Sequence, residues 1–253
     1  MAPPSRASLA EHSWEELRSG RVRFFEQLDA HLGVRVKGFL DAEACAHLAL
    51  RVYAGRPFWI SDFDGVQFSL GRAWYTHLEQ DREDEYFANA RASDAQVERF
   101  LPGLQAQLLQ ALSTLVGASA FQRPGWCGPG VHIFPAGQWL SQRGGDIHFD
   151  SEGLSQVQRQ RRSRAITLVL MLQPPESGGA LRLWDATYEG SDEVPEELSR
   201  LAYVDAHYGT GDMVILDSYR LHQIQPFTGG RDRISATAHA ALEASGSLWE
   251  VWF

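Results

Sequence analysis

Cysteine is scarce in this chain of 253 residues, which contains only Cys45 and Cys127. Two thiols far apart in sequence do not define a disulfide and are too few for a structural zinc site. No apolar run approaches the roughly 20 residues needed to span a bilayer, and the opening segment MAPPSRASLAEHSWEEL lacks an apolar signal region. We therefore expect a cytoplasmic protein without a membrane anchor, in the reducing compartment that free thiols favour.

Positive charge is in the minority, since the formal net charge is −9 and the pI is about 5.5. Nucleic acids and anionic membranes are bound by basic surfaces, so this balance argues against both as partners. Hydrophobic residues make up 44% of the chain, which at this length is enough to bury a large core. Nothing in the composition indicates an oligomeric state.

The first half of the chain mixes helical and strand patterns. Residues 13–33 favour a helix that Gly20 interrupts, and Asp41 stands where it can cap the next helix. Residues 63–79 are aromatic and alternating, which predicts one or two strands. Residues 93–117 carry an apolar stripe at helical spacing, and Ser93 with Gln96 fits a capping box at the start of this predicted helix.

The second half contains short apolar segments separated by polar or glycine turns. Eight segments within ~110 residues is a spacing typical of a closed or double-sheet β fold. They are VHIFPAG, DIHFD, AITLVLMLQ, GALRLWDA, LAYVDAHY, DMVILDS, LHQIQPF and RISATAHAAL. The sequence therefore predicts an α+β fold, an eight-stranded, cupin-like jelly roll backed by N-terminal helices. One domain, 1–253, would comprise a mostly helical part with one or two strands (1–125), the jelly-roll core (130–242) and a tail (243–253).

Two charged segments interrupt this pattern. The first, QRQRRSRA (158–165), is basic, and the second, EGSDEVPEEL (189–198), is acidic and contains a proline. Solvated loops usually carry such runs, and we interpret both in that way. A lid over the site remains the alternative for the second segment.

Metal-binding side chains occur twice in the β-rich half. His148 and Asp150 are two residues apart, so on a strand their side chains point to the same face. His222 opens a later predicted strand. Two imidazoles and one carboxylate on one face, with open positions opposite, suit non-haem Fe(II).

A third group follows in RDRIS, where Arg231, Arg233 and Ser235 alternate along one face of a strand. A guanidinium directed into a barrel is costly unless a carboxylate meets it. Its fork matches a carboxylate through two parallel hydrogen bonds. A dicarboxylate held by iron at one end and by arginine at the other would account for all these residues.

The order H-x-D, distal His and R-x-S among short strands resembles the Fe(II)/2-oxoglutarate-dependent oxygenase superfamily, with its double-stranded β-helix and prolyl-hydroxylase-like members. The resemblance covers roughly residues 130–242, about half of the chain. It implies Fe(II) as the metal, 2-oxoglutarate as cofactor and O2 as co-substrate. The implied catalytic and metal-binding residues are His148, Asp150 and His222. The implied cofactor-binding residues are Arg233 with Ser235, Arg231 as the rival arginine, and His132.

The resemblance also implies the reaction. We expect hydroxylation of an unactivated C–H bond in a small molecule, a free amino acid or amino-acid-derived metabolite, with release of succinate and CO2. Chlorinating relatives replace the carboxylate ligand by Ala or Gly, so Asp150 favours hydroxylation over halogenation. Two alternatives remain open: a hydroxylase of a protein side chain or carrier-tethered intermediate, and a non-enzymatic cupin-like metal-binding module.

Substrate contacts are predicted from side-chain type and position outside the core. In an amino-acid oxygenase, Arg72 would pair with the substrate carboxylate, and an acidic residue near the metal motif would meet the amine. The candidates are Arg72, Trp74, Tyr75, Trp139, Asp146 and Glu152. His77, His207 and His239 are interpreted as structural histidines rather than as ligands.

Overall fold

The computed structural model describes residues 7–253. The first half contains β1 (Leu9–Ser13), α1 (Trp14–Arg18), α2 (Phe24–Ala30), β2 (Gly33–Lys37), α3 (Ala42–Ala54), β3 (Ile60–Asp62), β4 (Gln67–Leu70), α4 (Trp74–Leu78), α5 (Glu83–Phe100), α6 (Leu104–Val116) and β5 (Ala120–Gln122). The second half contains β6 (Gly130–Phe134), α7 (Trp139–Arg143), α8 (Gln156–Arg161), β7 (Ala165–Gln173), β8 (Ser177–Gly178), β9 (Leu181–Thr187), β10 (Tyr203–Ala206), β11 (Met213–Asp217), β12 (Arg220–Ile224), β13 (Phe227–Thr228), β14 (Arg233–Leu242) and β15 (Trp249–Trp252). Short 3-10 turns lie at Arg56–Phe58, Phe63–Gly65 and Leu198–Arg200.

Two sheets form the jelly roll. The larger runs in the order β1-β2-β11-β7-β14-β6-β4-β3, with β15 paired to β14 and to β5. The smaller runs β10-β9-β12, and a separate backbone bridge joins β12 to His148. The predicted α+β fold class is therefore confirmed. Seven of the eight predicted segments contain strands, whereas DIHFD makes only this single bridge.

Strand β14 has one apolar face, which packs into the core, and one polar face, which points into the interior of the jelly roll. Its Ile234, Ala236, Ala238 and Ala240 belong to the large apolar cluster that includes α3, α5 and α6. Side chains alternate across a strand, so the opposite face of β14 carries a polar row. That row consists of Arg233, Ser235, Thr237 and His239. The helices thus cover one face of the large sheet, and the polar row lies on the other.

The N-terminal part contains β1 to β5, more strands than the sequence pattern indicates. The prediction of strands over residues 63–79 was wrong at its end, because Trp74–Leu78 is helical. The predicted capping box was wrong as well, since Ser93 lies inside α5, which begins at Glu83 with three acidic residues in its first turn. Acidic side chains favour a helix N-terminus through the helix dipole, a signal independent of apolar spacing. Asp41 does cap α3, accepting a hydrogen bond from the backbone N–H of Ala44 at 2.7 Å.

The two charged segments differ from each other in structure. Residues 156–161 form α8 with a capping box at Ser155, so the basic segment is partly helical rather than a loop. Most of the acidic segment is irregular and exposed, as predicted. Within residues 7–253, no helix combines the length and apolar character needed to cross a membrane.

Candidate metal centre

Backbone pairing brings the two predicted histidine ligands together. The backbone N–H of His148 donates to the carbonyl of His222 at 3.1 Å, and that of His222 donates to the carbonyl of His148 at 3.0 Å. Such a directly opposed pair presents both side chains on one face, and the two ring centroids lie 4.2 Å apart. The backbone N–H of Asp150 then donates to the carbonyl of Ser218 at 2.9 Å, which holds the carboxylate residue beside them.

The three predicted ligands converge on one point. Candidate ligand atoms of His148, Asp150 and His222 all lie within 4.8 Å of one another. Each imidazole places Nδ1 against a carbonyl oxygen, that of Asp146 at 2.8 Å and that of Arg220 at 2.9 Å. A carbonyl only accepts, so Nδ1 carries the proton and the Nε2 lone pair of the neutral ring is free for a metal. This donor set fits an Fe(II) ion with open coordination positions.

The electrostatics of the triad also suit a cation. Burial would raise the pKa of Asp150, but the His222, His239 and His148 rings hold it well below its usual range. Burial opposes the charged form of His148, yet the hydrogen bond and charge of Asp150 raise its pKa to about 9. Burial lowers the pKa of His222 to about 4. At neutral pH the carboxylate is therefore ionised, and a metal ion must displace a proton from His148.

A hydroxyl on β7 fixes the carboxylate ligand. The Thr167 hydroxyl donates to Asp150 Oδ2 at 2.5 Å and lies 3.1 Å from both Ser218 Oγ and His239 Nδ1. The His239 ring, interpreted as structural from the sequence, lies at the edge of the site, with Nδ1 3.9 Å from Asp150 Oδ2. Sequence reasoning missed Thr167 and Ser218. The available signal was that Thr167 is the first polar residue inside an otherwise apolar buried strand.

A second group of polar atoms surrounds Arg233, which is 1% exposed. Its Nη1 donates to Ser235 Oγ at 3.1 Å, and its Nε lies 3.4 Å from the carbonyl of Gly179. Its Nη2 and the Tyr208 hydroxyl are buried and have no hydrogen-bond partner of good geometry. Within residues 7–253 no carboxylate lies within 4.0 Å of this guanidinium, a costly arrangement for a buried charge.

The same region fits one end of a dicarboxylate. The Arg233 guanidinium carbon lies 5.4 Å from the ring centroids of both Phe134 and Tyr208. Burial raises the pKa of Tyr208 to about 12, so its hydroxyl remains a donor at neutral pH. A carboxylate between Arg233 and Tyr208 would satisfy both unpaired groups. Tyr208 was missed from the sequence, because a single tyrosine after a strand carries no signal of its own.

The other two predicted cofactor contacts, Arg231 and His132, differ in whether the structure brings them into the interior. Arg231 is exposed in the turn before β14, which begins at Arg233, so the structure does not bring Arg231 into the interior. His132, on β6, is buried and pairs in register with Ser235. Its ring centroid is 4.7 Å from that of Phe253, and its Nδ1 has no hydrogen-bond partner in the described chain. Burial lowers the pKa of His132 to about 3, so the ring is neutral.

A cavity opens beside the triad carboxylate. Three predicted substrate contacts, Trp74, Tyr75 and Glu152, line it. The full lining is Trp74, Tyr75, Asp150, Glu152, Gly153, His239 and Trp252. Burial raises the pKa of Glu152 to about 7.

The remaining predicted substrate contacts lie elsewhere. Arg72 donates from Nη1 to Glu85 Oε1 at 2.7 Å and lies 2.8 Å from His77 Nε2, in a separate cleft behind α5. Trp139 is 49% exposed on α7. The Asp146 side chain is exposed, and only its carbonyl reaches His148. The structure therefore does not bring Arg72, Trp139 or the Asp146 carboxylate into the cavity.

Comparisons with known proteins bear directly on this site. Residues 138–240 match the family model described as the 2OG-Fe(II) oxygenase superfamily, a range that contains the triad, Tyr208 and Arg233. The resemblance to this superfamily is thereby confirmed. No curated protein matches the sequence.

Solved structures share the fold of this chain. The epimerase SnoN in complex with Fe3+, alpha ketoglutarate and nogalamycin RO is 14% identical, with a TM-score of 0.56 over 89% of this chain and 82% of that chain. A second SnoN structure, titled a non-heme alpha ketoglutarate dependent epimerase from nogalamycin biosynthesis, is 15% identical, with a TM-score of 0.54 over 90% and 84%. A prolyl hydroxylase from Trichoplax adhaerens, in complex with a hypoxia inducible factor peptide fragment, is 13% identical, with a TM-score of 0.53 over 88% and 89%. At these identities the likeness establishes the double-stranded β-helix fold alone.

Proposed function

We propose that this protein is an Fe(II)- and 2-oxoglutarate-dependent oxygenase that hydroxylates an unactivated C–H bond of a small molecule. The observation that carries the proposal is the pairing of two incomplete sites. One is a triad with free Nε2 and carboxylate donors, and the other is a buried Arg233 that lacks an acidic partner. The His132 ring interacts electrostatically with both Asp150 and Arg233. It therefore lies between the two sites, and one small dianion could reach from the triad to Arg233.

Each residue has a definite role in this proposal. His148, Asp150 and His222 would hold Fe(II), with the rings oriented by backbone carbonyls and the carboxylate by Thr167. Bound iron and 2-oxoglutarate together supply the oxidation of a C–H bond by O2, leaving succinate, CO2 and one oxygen atom in the product.

The co-substrate would be oriented from the far end of the interior. Arg233, which a hydrogen bond to Ser235 orients, would donate to the distal carboxylate of 2-oxoglutarate, and the Tyr208 hydroxyl would donate to it as well. The Arg233 end of the interior is buried, and exclusion of water there would protect the reactive site from side reactions. Arg231 has no role in this arrangement, because its side chain lies outside the barrel.

The presence of Asp150 supports hydroxylation over halogenation, since the carboxylate occupies the position that a halide would take. If the substrate is an amino acid, Glu152 remains the candidate contact for its amine. Arg72 is not a contact for its carboxylate, because Arg72 lies in a separate cleft and pairs with Glu85. A protein side chain or a carrier-tethered intermediate is the alternative substrate, and product analysis separates these possibilities.

The test measures succinate. Protein loaded anaerobically with Fe(II) receives 2-oxoglutarate, O2 and a metabolite mixture, with peptide and carrier-tethered mixtures in parallel. His148→Ala should abolish succinate formation, whereas His47→Ala, on the exposed side of α3, should not change it. A product heavier by one oxygen atom supports hydroxylation, and an unchanged mass with altered stereochemistry supports epimerisation instead. Absence of both 2-oxoglutarate binding and succinate contradicts the proposal and favours a non-enzymatic metal-binding module.

A further inference from the structure

The cavity beside Asp150 has rigid aromatic walls. Trp252 packs so closely on Gly153 that a Cβ at that position would lie 2.1 Å from the indole nitrogen. Trp74 donates from its indole nitrogen to the carbonyl of Glu152 at 3.2 Å, which ties α4 to the segment after the metal motif. A ligand entering here therefore meets indole surfaces that are fixed in place before it binds.

Glu152 is the acidic group of this cavity that the triad does not use. Within residues 7–253 no Lys, Arg or His nitrogen lies within 4.0 Å of its carboxylate. The neighbouring Arg123 stacks on Trp252 with its guanidinium carbon 4.0 Å from the ring centroid, but it pairs with Glu250 at 3.2 Å. Arg123 is thus already paired with another carboxylate, and His148, whose charge also acts on Glu152, is assigned to the metal.

The proposed cofactors do not neutralise Glu152 either. An Fe(II) ion, the Asp150 carboxylate, a 2-oxoglutarate dianion and the Arg233 guanidinium would together carry no net charge. A further acid stands beside the cavity, since the Ser151 hydroxyl donates to Asp192 at 2.8 Å. A half-buried carboxylate in such surroundings is stabilised by an incoming cation.

We infer that the substrate carries an ammonium group, bound by Glu152 against the indoles of Trp74 and Trp252, while a neighbouring C–H bond faces the triad. An acid beside tryptophan rings is a suitable receptor for such a cation, because the ring faces attract positive charge. The inference rests on the proposed function, since it assigns the substrate of that same site. A free amine and a lysine side chain share this chemistry.

The test compares cations with a neutral molecule of the same shape. Protein loaded anaerobically with Fe(II) and 2-oxoglutarate is titrated with n-butylammonium, choline and 3,3-dimethylbutan-1-ol, the uncharged isostere of choline, and tryptophan fluorescence is recorded. We expect at least one cation to bind about ten times more tightly than the neutral alcohol, the difference typical of a desolvated charge contact. A capped Gly-Lys-Gly peptide forms a parallel arm: tighter binding than the free amines assigns the ammonium group to a protein, and weaker binding assigns it to a small molecule.

Variants isolate the carboxylate. Glu152→Gln preserves shape and should abolish the preference for cations, whereas Glu196→Gln, an exposed loop residue with the same change in net charge, should retain it. The inference is overturned if no cation binds, if the alcohol binds equally well, or if Glu152→Gln keeps the preference. Titration of 2-oxoglutarate into the same proteins loaded with Fe(II) alone distinguishes this inference from the proposed function. Absence of 2-oxoglutarate binding refutes the proposed function, whereas binding of 2-oxoglutarate without a preference for cations refutes only this inference.

Discussion

Substitution of one buried arginine should show which of two neighbouring arginines, Arg233 or Arg231, binds the distal carboxylate of 2-oxoglutarate. Arg233→Gln removes a guanidinium that is 1% exposed and has one unpaired nitrogen, while Arg231→Gln changes an exposed turn. Hydrogen bonds between charged groups contribute roughly 1.5–3 kcal/mol each. Because Arg233 is buried, solvent does not screen the interaction, and loss of two such bonds should weaken 2-oxoglutarate binding by about 10²–10⁴-fold.

The assay is calorimetric titration of 2-oxoglutarate into protein loaded with Mn(II) as a stand-in for Fe(II). Arg231→Gln should bind within about twofold of the unaltered protein, since surface substitutions rarely exceed 0.5 kcal/mol. Without the co-substrate, Arg233→Gln should melt no lower than the unaltered protein, because the change removes a buried charge that has no acidic partner. An equal loss of 2-oxoglutarate affinity in both variants, or a loss confined to Arg231→Gln, would refute the assignment of Arg233 as the residue that binds 2-oxoglutarate.

Three further predictions concern the metal site and its wall. Affinity for Mn(II) should rise about tenfold per pH unit from pH 7 to 9, because His148, with a pKa of about 9, must lose a proton to bind metal; a flat profile in metal titrations at fixed ionic strength would contradict this. Thr167→Val should lower metal affinity about tenfold by removing the hydrogen bond to Asp150, and unchanged affinity would show that the hydroxyl does not support the ligand. Gly153→Ala should lower stability by about 1–3 kcal/mol, because the new methyl group collides with Trp252, as chemical denaturation can measure.

The sequence was most informative where one strand carries a short repeat. Alternation predicted that His148 and Asp150 face the same side, which holds although their segment makes only a single bridge, and it grouped Arg233 with Ser235 on β14. It did not separate Arg233 from Arg231, because that depends on where β14 begins, and hydrogen bonding to β6 and β7 determines this starting point.

Contacts between distant segments were beyond the sequence pattern. Tyr208 reaches Arg233 from the connection between β10 and β11, and nothing in the sequence distinguishes this tyrosine from the others. Arg72 had the right charge for a substrate carboxylate, but its ion pair with Glu85 on α5 became visible only in three dimensions. Trp74 was assigned to a strand because aromatic residues favour strands, whereas its contacts with α5 and Trp126 favour the helix.

The single bridge between His148 and His222 has a consequence for how iron is loaded. One ligand stands on a strand of the smaller sheet, while the other two stand on a segment that a few hydrogen bonds hold to that strand's edge. Gly144 precedes this segment with a positive φ, a backbone conformation that glycine adopts without strain. Local opening of so small a unit requires far less free energy than unfolding. We therefore expect iron to enter and leave by local opening of this one segment while the barrel stays closed, and bound metal to hold the two edges together.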